Sequence, residues 1–263
     1  MIAKFQRLND CINRVDRAEK EREELIRLTE DYPEFTVEDG YVVQEQLISR
    51  RIDEGNRVVG YKLGLTSKPK QEMMGVHEPT YGVLLDYMQL EEGEPVRYSE
   101  LIHPKAEPEI AFYLNEDIEG PAVTGADVLA ATKYVFPAIE IIDSRYKDFK
   151  FTLADVVADN SSSSRFILGG RPCKASDVDL SLMGMVMNKN GEIETTGAGA
   201  AVLGHPATAI AWLVKKLYHR GDKLRKGQII LSGAITAAIT IKPGDVVQAN
   251  FEKLGSVTVR CTE

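Results

Sequence analysis

Three glutamates carry the first chemical suggestion in this chain. Residues 101–114 read Leu-Ile-His-Pro-Lys-Ala-Glu-Pro-Glu-Ile-Ala-Phe-Tyr-Leu, and the apolar run at the end predicts a β-strand. Alternate residues of a strand share a face, so Glu107, Glu109 and Ala111 point one way and Pro108, Ile110 and Phe112 the other. Two carboxylates side by side repel each other, and burial among Ile110, Ala111 and Phe112 disfavours the charged form further. A divalent cation between them removes both problems, and hard oxygen ligands suit Mg²⁺ or Mn²⁺. The competing reading is a half-exposed strand with two solvated glutamates. Glu140 weighs against it. That residue lies inside a second apolar run, residues 134–143, and a glutamate so placed needs a partner. Together Glu107, Glu109 and Glu140 would supply three oxygen ligands and leave the other positions of an octahedron to water and substrate.

Lys62 is the complementary charge. It sits between Gly60 and Gly64 in residues 58–66, which read as a strand running into a turn. Small neighbours let a ligand approach the backbone. The plainer alternative is an edge-strand lysine whose stem covers apolar surface. The polar run Asp159-Asn-Ser-Ser-Ser-Ser-Arg165, between apolar segments, reads as a loop, and loops on a rigid scaffold often carry sites.

These residues need elements to hold them. Phe5, Leu8, Ile12 and Val15 recur at helical spacing in the charged stretch 4–30, which Tyr32-Pro33 ends. Thr36 with Asp39 is a capping-box variant that opens a helix through Tyr41, Leu47 and Ile52, with Gly55 as its stop. A short helix is expected over 67–74, a turn at 79–82, and a second capped helix from Thr124 through about Lys133. Asn190-Gly191 joins a hairpin of 185–189 with 192–195. Residues 206–218 form a helix, and 227–231, 246–251 and 256–260 are short strands. The predicted organisation is α+β, with a helical N-terminal cap region over 1–75 and a mixed, strand-rich catalytic core over 76–263.

Composition narrows the function. The chain has 263 residues, of which 43% are hydrophobic and 27% charged, as in an ordinary globular protein. A net charge of −8 with no basic run argues against nucleic acid. No run of about 18 apolar residues and no signal-peptide pattern is present, which argues against membrane insertion and secretion. Cys11, Cys173 and Cys261 lack metal spacing and read as reduced thiols of a cytoplasmic protein.

Residues 60–67 (Gly-Tyr-Lys-Leu-Gly-Leu-Thr-Ser), Glu107-Pro-Glu109, Pro137-Ala-Ile-Glu140 and Ala158-Asp-Asn160 together resemble the fumarylacetoacetate hydrolase superfamily. The likeness extends from about residue 32 to 260 and is nearest the hydratases and decarboxylases that act on 2-oxo acids in aromatic meta-cleavage pathways. It implies a mixed β-roll core with a helical cap, and Mg²⁺ or Mn²⁺ on Glu107, Glu109 and Glu140. It further implies catalytic roles for Lys62, Asp159 and Ser161, and substrate contacts from Leu65, Arg145, Asn160, Ser232 and Thr236. A small 2-oxo dicarboxylic acid substrate, a homo-oligomer and a complex with 2-oxopent-4-enoate hydratase follow from the same likeness.

Within that branch, the 101–105 and 143–151 segments favour a decarboxylase of 2-oxo-3-hexenedioate. Hydratases of the branch typically place an aspartate where this chain has Thr80, and decarboxylases an apolar residue. Decarboxylation pushes the electrons of the broken bond through the conjugated chain onto the C2 oxygen, where a cation and Lys62 would stabilise them. Hydration by the same site is the first alternative. A non-catalytic scaffold partner of the hydratase is the second, and Lys62 beside an open metal position argues against it.

Overall fold

The computed structural model describes residues 2–263. Three helices come first: α1 (Ile2–Glu21), α2 (Leu28–Asp31) and α3 (Val37–Asp53). The first predicted helix thus stops at Glu21, where Arg22 turns left-handed at φ +58°. Phe5, expected on its apolar face, is 66% exposed, whereas Cys11, Ile12, Val15 and Ala18 are buried. Thr36 and Asp39 do form the capping box of α3.

The chain then alternates strands with short helices. It passes through β1 (Val58–Gly64), α4 (Lys68–Met74), β2 (Thr80–Leu85), β3 (Gln89–Leu90), β4 (Val96–Arg97) and β5 (Lys105–Leu114). Next come α5 (Gly125–Ala130), β6 (Thr132–Ile142), α6 (Leu153–Ala158), β7 (Ser163–Leu168), β8 (Gly184–Lys189) and β9 (Glu192–Ala198). The last elements are α7 (Pro206–His219), β10 (Ile229–Leu231), β11 (Ile239–Thr240), β12 (Val246–Phe251) and β13 (Gly255–Thr262). Three local expectations change. The turn expected at 79–82 is the start of β2, because Thr80 and Tyr81 pair with Gly64 and Leu63 of β1. The helix capped by Thr124 ends at Ala130, since Thr132 already belongs to β6. The stretch 159–165, read as a loop, is a tight turn after α6 that runs straight into β7.

The larger sheet runs β2-β1-β10-β5-β6-β7-β3, with β11 on β5; the smaller runs β4-β13-β12-β8-β9. β1, although it precedes residue 76, lies inside the larger sheet beside β2 and β10. That sheet curls, so that β2 also meets β7. The architecture is the mixed helix-and-sheet roll expected, with helices covering one side. Most of the core is one cluster between the sheets and α7. A second, smaller cluster joins Ile12, Val15, Leu28, Val43, Leu47 and Tyr146 to Ala154 and Ala158 of α6. The helical layer therefore packs on the segment that leads to Asp159.

Asp155 fixes that layer. Its carboxylate accepts from Thr29 N at 3.0 Å and Thr29 Oγ1 at 2.7 Å, and from Thr152 N at 2.9 Å and Thr152 Oγ1 at 2.7 Å. Replacement by alanine strands four donors and removes a cap. Asp155→Ala is expected to cost about 2–4 kcal/mol of stability. Denaturant titration reads this directly, and a loss below about 0.5 kcal/mol would mean the layer is held elsewhere.

Candidate metal centre and pocket

The curl of the sheet brings the three glutamates and the lysine together. Glu107 lies directly opposite Glu140 in the antiparallel β5–β6 pair, so the two share a face, and Glu109 follows on that face. One carboxylate oxygen from each lies within 4.8 Å of the other two. Glu109 and Glu140 are fully buried, and Glu107 is 8% exposed. Lys62, on β1, reaches Glu140 across the inside of the roll, with its Nζ 3.1 Å from Glu140 Oε2. In the hydrogen-bonding order β10 and β5 lie between those strands.

The donor set fits a hard dication. Glu109 Oε2 accepts from Gly233 N at 2.7 Å, but Glu109 Oε1 and Glu140 Oε1 are buried without a hydrogen bond. Native structures rarely leave such oxygens orphaned. Burial pushes the Glu140 carboxyl up to about 7, with Lys62 opposing and Glu107 adding to the rise. Burial and then Glu140 raise Glu109 as well. For Lys62, burial works against the ammonium, but Glu140, Glu107 and Glu109 outweigh it and hold the charge. The result is an oxygen-only cluster with more negative charge than one ammonium balances, which suits Mg²⁺.

Lys62 is aimed by an unusual turn. Its Nζ also donates to Ser161 O at 3.0 Å. Asn160, Ser161 and Ser162 all adopt left-handed backbone, at φ +47°, +52° and +57°. For residues other than glycine this costs roughly 1–2 kcal/mol each. Side chains hold the strain. Asn160 Oδ1 accepts from Val83 N at 2.7 Å and its Nδ2 donates to Val83 O at 2.9 Å. Ser161 Oγ donates to Tyr81 O at 3.0 Å. Gly82 stands opposite Lys62 in the β1–β2 pair, and a Cβ there would lie 2.4 Å from Asn160 O. Glycine at 82 therefore lets the turn settle onto the sheet beside the lysine.

A cavity of roughly 130 Å³ opens on this cluster, lined among others by Lys62, Leu65, Thr80, Glu107, Phe149 and Ser161. Ile142, Phe151 and Val156 give it an apolar wall. Lys62, Leu65, Ser161 and Glu107 thus meet where the sequence placed them. Several other expected residues are placed otherwise. Arg145 does not line the cavity. Its buried guanidinium binds the Asp159 carboxylate and donates to the carbonyls of Asp143, Ser163 and Asp159 at 2.8, 3.1 and 2.6 Å. Four of its five N–H donors are thereby committed within the protein. Asp159 is likewise turned away from the cavity: burial raises its carboxyl to about 7, with Arg145 opposing, and Ser162 Oγ donates to it at 3.3 Å. Asn160 is spent on Val83. Ser232 is fully buried with its Oγ unpartnered, and Thr236 Oγ1 lies 3.0 Å from Thr195 Oγ1; Ala234 of that loop lines the cavity instead. Gly60 and Gly64 flank Lys62 for packing reasons, since a Cβ at 60 would strike Ile229 O at 1.7 Å. Phe149 and Phe151 belong to the 143–151 segment that carried the resemblance, but the sequence reading did not name them as site residues. Their spacing of two beside a charged turn was the available signal.

A buried cluster of carboxylate oxygens that fits a metal ion, with a fixed ammonium beside it and one apolar wall, is a site suited to stabilising negative charge on a small ligand's oxygen. Residues 63–262 match the family described as Fumarylacetoacetate (FAA) hydrolase C-terminal, and the chain belongs to that family. It is 47% identical over 246 residues to 4-oxalocrotonate decarboxylase of Pseudomonas putida, covering 94% of this chain and 93% of that one. It is 43% identical over 241 residues to 2-hydroxyhexa-2,4-dienoate hydratase of Comamonas testosteroni, covering 91% of each. The solved structure of 4-oxalocrotonate decarboxylase from Pseudomonas putida G7, complexed with magnesium and adipate, superposes with a TM-score of 0.94 at 45% identity over 97% of both chains.

The raised carboxyls make metal binding pH-dependent. In the folded, metal-free protein Glu140 loses its proton near 7 rather than 4.5, so its contribution to stability is present below 4.5 and lost as pH rises through 7. Mg²⁺ needs the deprotonated form and should restore what is lost. The Mg²⁺-induced gain in Tm is expected to grow from pH 5 to pH 8. Glu109→Gln should lose most of that gain while its metal-free form is no less stable than the parent at pH 8. Calorimetric scans with and without Mg²⁺ check both, and an undiminished gain in Glu109→Gln would put the metal elsewhere.

Proposed function

We propose that this chain catalyses the decarboxylation of 2-oxo-3-hexenedioate (4-oxalocrotonate) to 2-hydroxypenta-2,4-dienoate and CO₂, the 4-oxalocrotonate decarboxylase step in meta-cleavage catabolism of aromatic compounds. The observation that carries the reading is the buried glutamate triad beside Lys62, at a cavity whose wall at residue 80 is a threonine. Glu107, Glu109 and Glu140 would hold Mg²⁺ or Mn²⁺. When bound, that ion supplies a Lewis acid for charge developing at the C2 oxygen.

The protein's own groups do the rest. Two of the three Lys62 ammonium hydrogens are committed to Glu140 and Ser161 O, which leaves one to donate to the C2 oxygen. The C5–C6 bond breaks, its electron pair moves through C4 and C3, and the negative charge arrives on that oxygen as CO₂ leaves. Protonation then gives the neutral dienol. A preorganised donor at such an oxygen contributes about 3–4 kcal/mol. Phe149, Phe151, Ile142 and Val156 exclude water from the departing carboxylate. No general base is required for carbon–carbon cleavage. Thr80, 2% exposed, is too weak a base to activate water.

The reading extends to assembly. The dienol ketonises readily in water, so a homo-oligomer docked to 2-oxopent-4-enoate hydratase would pass it on directly. Three free cysteines are consistent with a reducing cytoplasm, and no helix among the described residues is long and apolar enough to cross a membrane. The hydratase alternative rests on relatives named as hydratases, such as that of Comamonas testosteroni at 43% identity.

Product analysis by NMR separates the two. Incubation with 2-oxo-3-hexenedioate should yield 2-hydroxypentadienoate or its keto tautomer. Rapid hydration of 2-hydroxypentadienoate with the diacid left untouched would replace this reading by the hydratase one. Thr80→Asp puts a carboxylate on the wall of the cavity that Glu107 also lines and should slow decarboxylation at least tenfold. Lys62→Met keeps the stem and removes the charge. It should lower kcat by roughly 10²–10³ with folding intact, and near-parental turnover would refute the role of Lys62.

A further inference from the structure

We propose that Lys105 binds the distal carboxylate of the substrate and makes the site selective for diacids over monoacids. The proposal rests on the reading above that the ligand is a 2-oxo acid chelated at the glutamate centre.

Lys105 opens β5 on the same face as Glu107 and Glu109. It is two residues from Glu107, roughly 6.6 Å along an extended strand. The end carbons of a six-carbon diacid are separated by about 6 Å, five bonds of about 1.5 Å. A ligand anchored at the glutamates by its 2-oxo acid end can therefore present its other end near this lysine. Two residues that line the cavity flank Lys105. Ile142 is its direct cross-strand partner, and the Phe149 ring centroid is 3.9 Å from its Nζ. His103 lies on Phe149 too, with ring centroids 5.0 Å apart.

Three other cations of this region, among the described residues, have partners. Lys62 is bound to Glu140 and Ser161, and Arg145 to Asp159 and three carbonyls. Lys150 is exposed and pairs with Asp148 at 3.6 Å. Lys105 is half-buried and, among the described residues, forms no ion pair; its close contact is the aromatic face. A cation held over a ring is prepositioned yet keeps its hydrogen-bond donors for an anion. The wall formed by Ile142, Phe149 and Phe151 supplies no other charge for a second carboxylate that enters a cavity already facing three glutamates.

The role is in binding rather than rate. Lys105 would pair with a negative charge that disappears when CO₂ leaves, so it stabilises the bound diacid at least as much as the transition state. Lys105→Met should therefore raise KM for the diacid about tenfold or more while kcat stays within about threefold. Calorimetric titration of the Mg²⁺-loaded protein gives a readout that needs no turnover. 2-Oxoadipate should bind the parent more tightly than 2-oxohexanoate. In Lys105→Met the diacid should lose about tenfold in affinity and the monoacid less than twofold, and Lys105→Arg should restore the preference. Equal losses for both ligands, no loss for either, or no preference in the parent would each overturn the proposal. If the parent prefers the diacid through Lys105 but releases no CO₂, the decarboxylase reading fails and the diacid site stands.

Discussion

The structure is governed by a charge problem, three carboxylates gathered on one buried face of a sheet. Paired strands place side chains with a period of two, so opposing Glu107 to Glu140 and following with Glu109 leaves their repulsion no geometric escape. An ammonium, a backbone N–H and a dication are answers of the kind such a cluster needs. Lys62 and Gly233 supply the first two. Gly233 can do so because its φ of +105° turns the N–H inward, and because a Cβ would sit 2.1 Å from Thr66 Oγ1. Two carboxylate oxygens remain without donors, the feature by which the centre fits a metal ion.

The same constraint explains the strain beside the site. Lys62 reaches across the inside of the roll to end 3.1 Å from Glu140 Oε2. The Ser161 carbonyl fixes its far end, and that carbonyl points correctly only from a left-handed turn. Asn160 and Ser161 turn their side chains back onto β2, so the sheet that carries Lys62 also carries the turn that aims it. Both ends of the lysine's environment are thus referred to one rigid element.

Much of this was legible in the sequence, and the reasons are local. Glu107 and Glu109 share a face by strand period alone, and Glu140 betrays itself as a carboxylate inside an apolar run. Lys62 stood out by its two flanking glycines, and the resemblance to the family gave it and the Asp159–Ser161 stretch their catalytic roles. The register that sets Glu107 against Glu140 is a long-range fact that no local pattern encodes. The fates of Arg145 and Asn160 were hidden for a related reason. A buried polar residue near a site has the same appearance in sequence whether it binds ligand or backbone, and only the acceptors around it decide. Thr80 was misread as part of a turn because Pro79 and Gly82 are turn residues. Gly82 is in fact a strand residue, chosen by the backbone of Asn160 packed above it. The short 3₁₀ segment with Phe149 left-handed at φ +59° carries no sequence pattern strong enough to place its ring at the cavity.

The helical layer belongs to the site although none of α1 to α3 lines the cavity. α6 is only six residues long and is buried along most of its length, too short to hold its own position. It is held by the small cluster beneath α1 and α3 and by the bonds from Asp155 to Thr29. Its C-terminal residue passes directly into Asp159, which Arg145 grips by carboxylate and carbonyl. Arg145 in turn ties down the carbonyls of Asp143 and Ser163, the ends of β6 and β7. The turn at 160–162 is therefore suspended between a helix positioned by the cap and strands positioned by the sheet. A shift of the cap would move the Ser161 carbonyl, and with it the direction of the one Lys62 hydrogen left for substrate. The three glutamates thus stay on stiff strands, while the carbonyl that holds Lys62 beside them is set by contacts between layers.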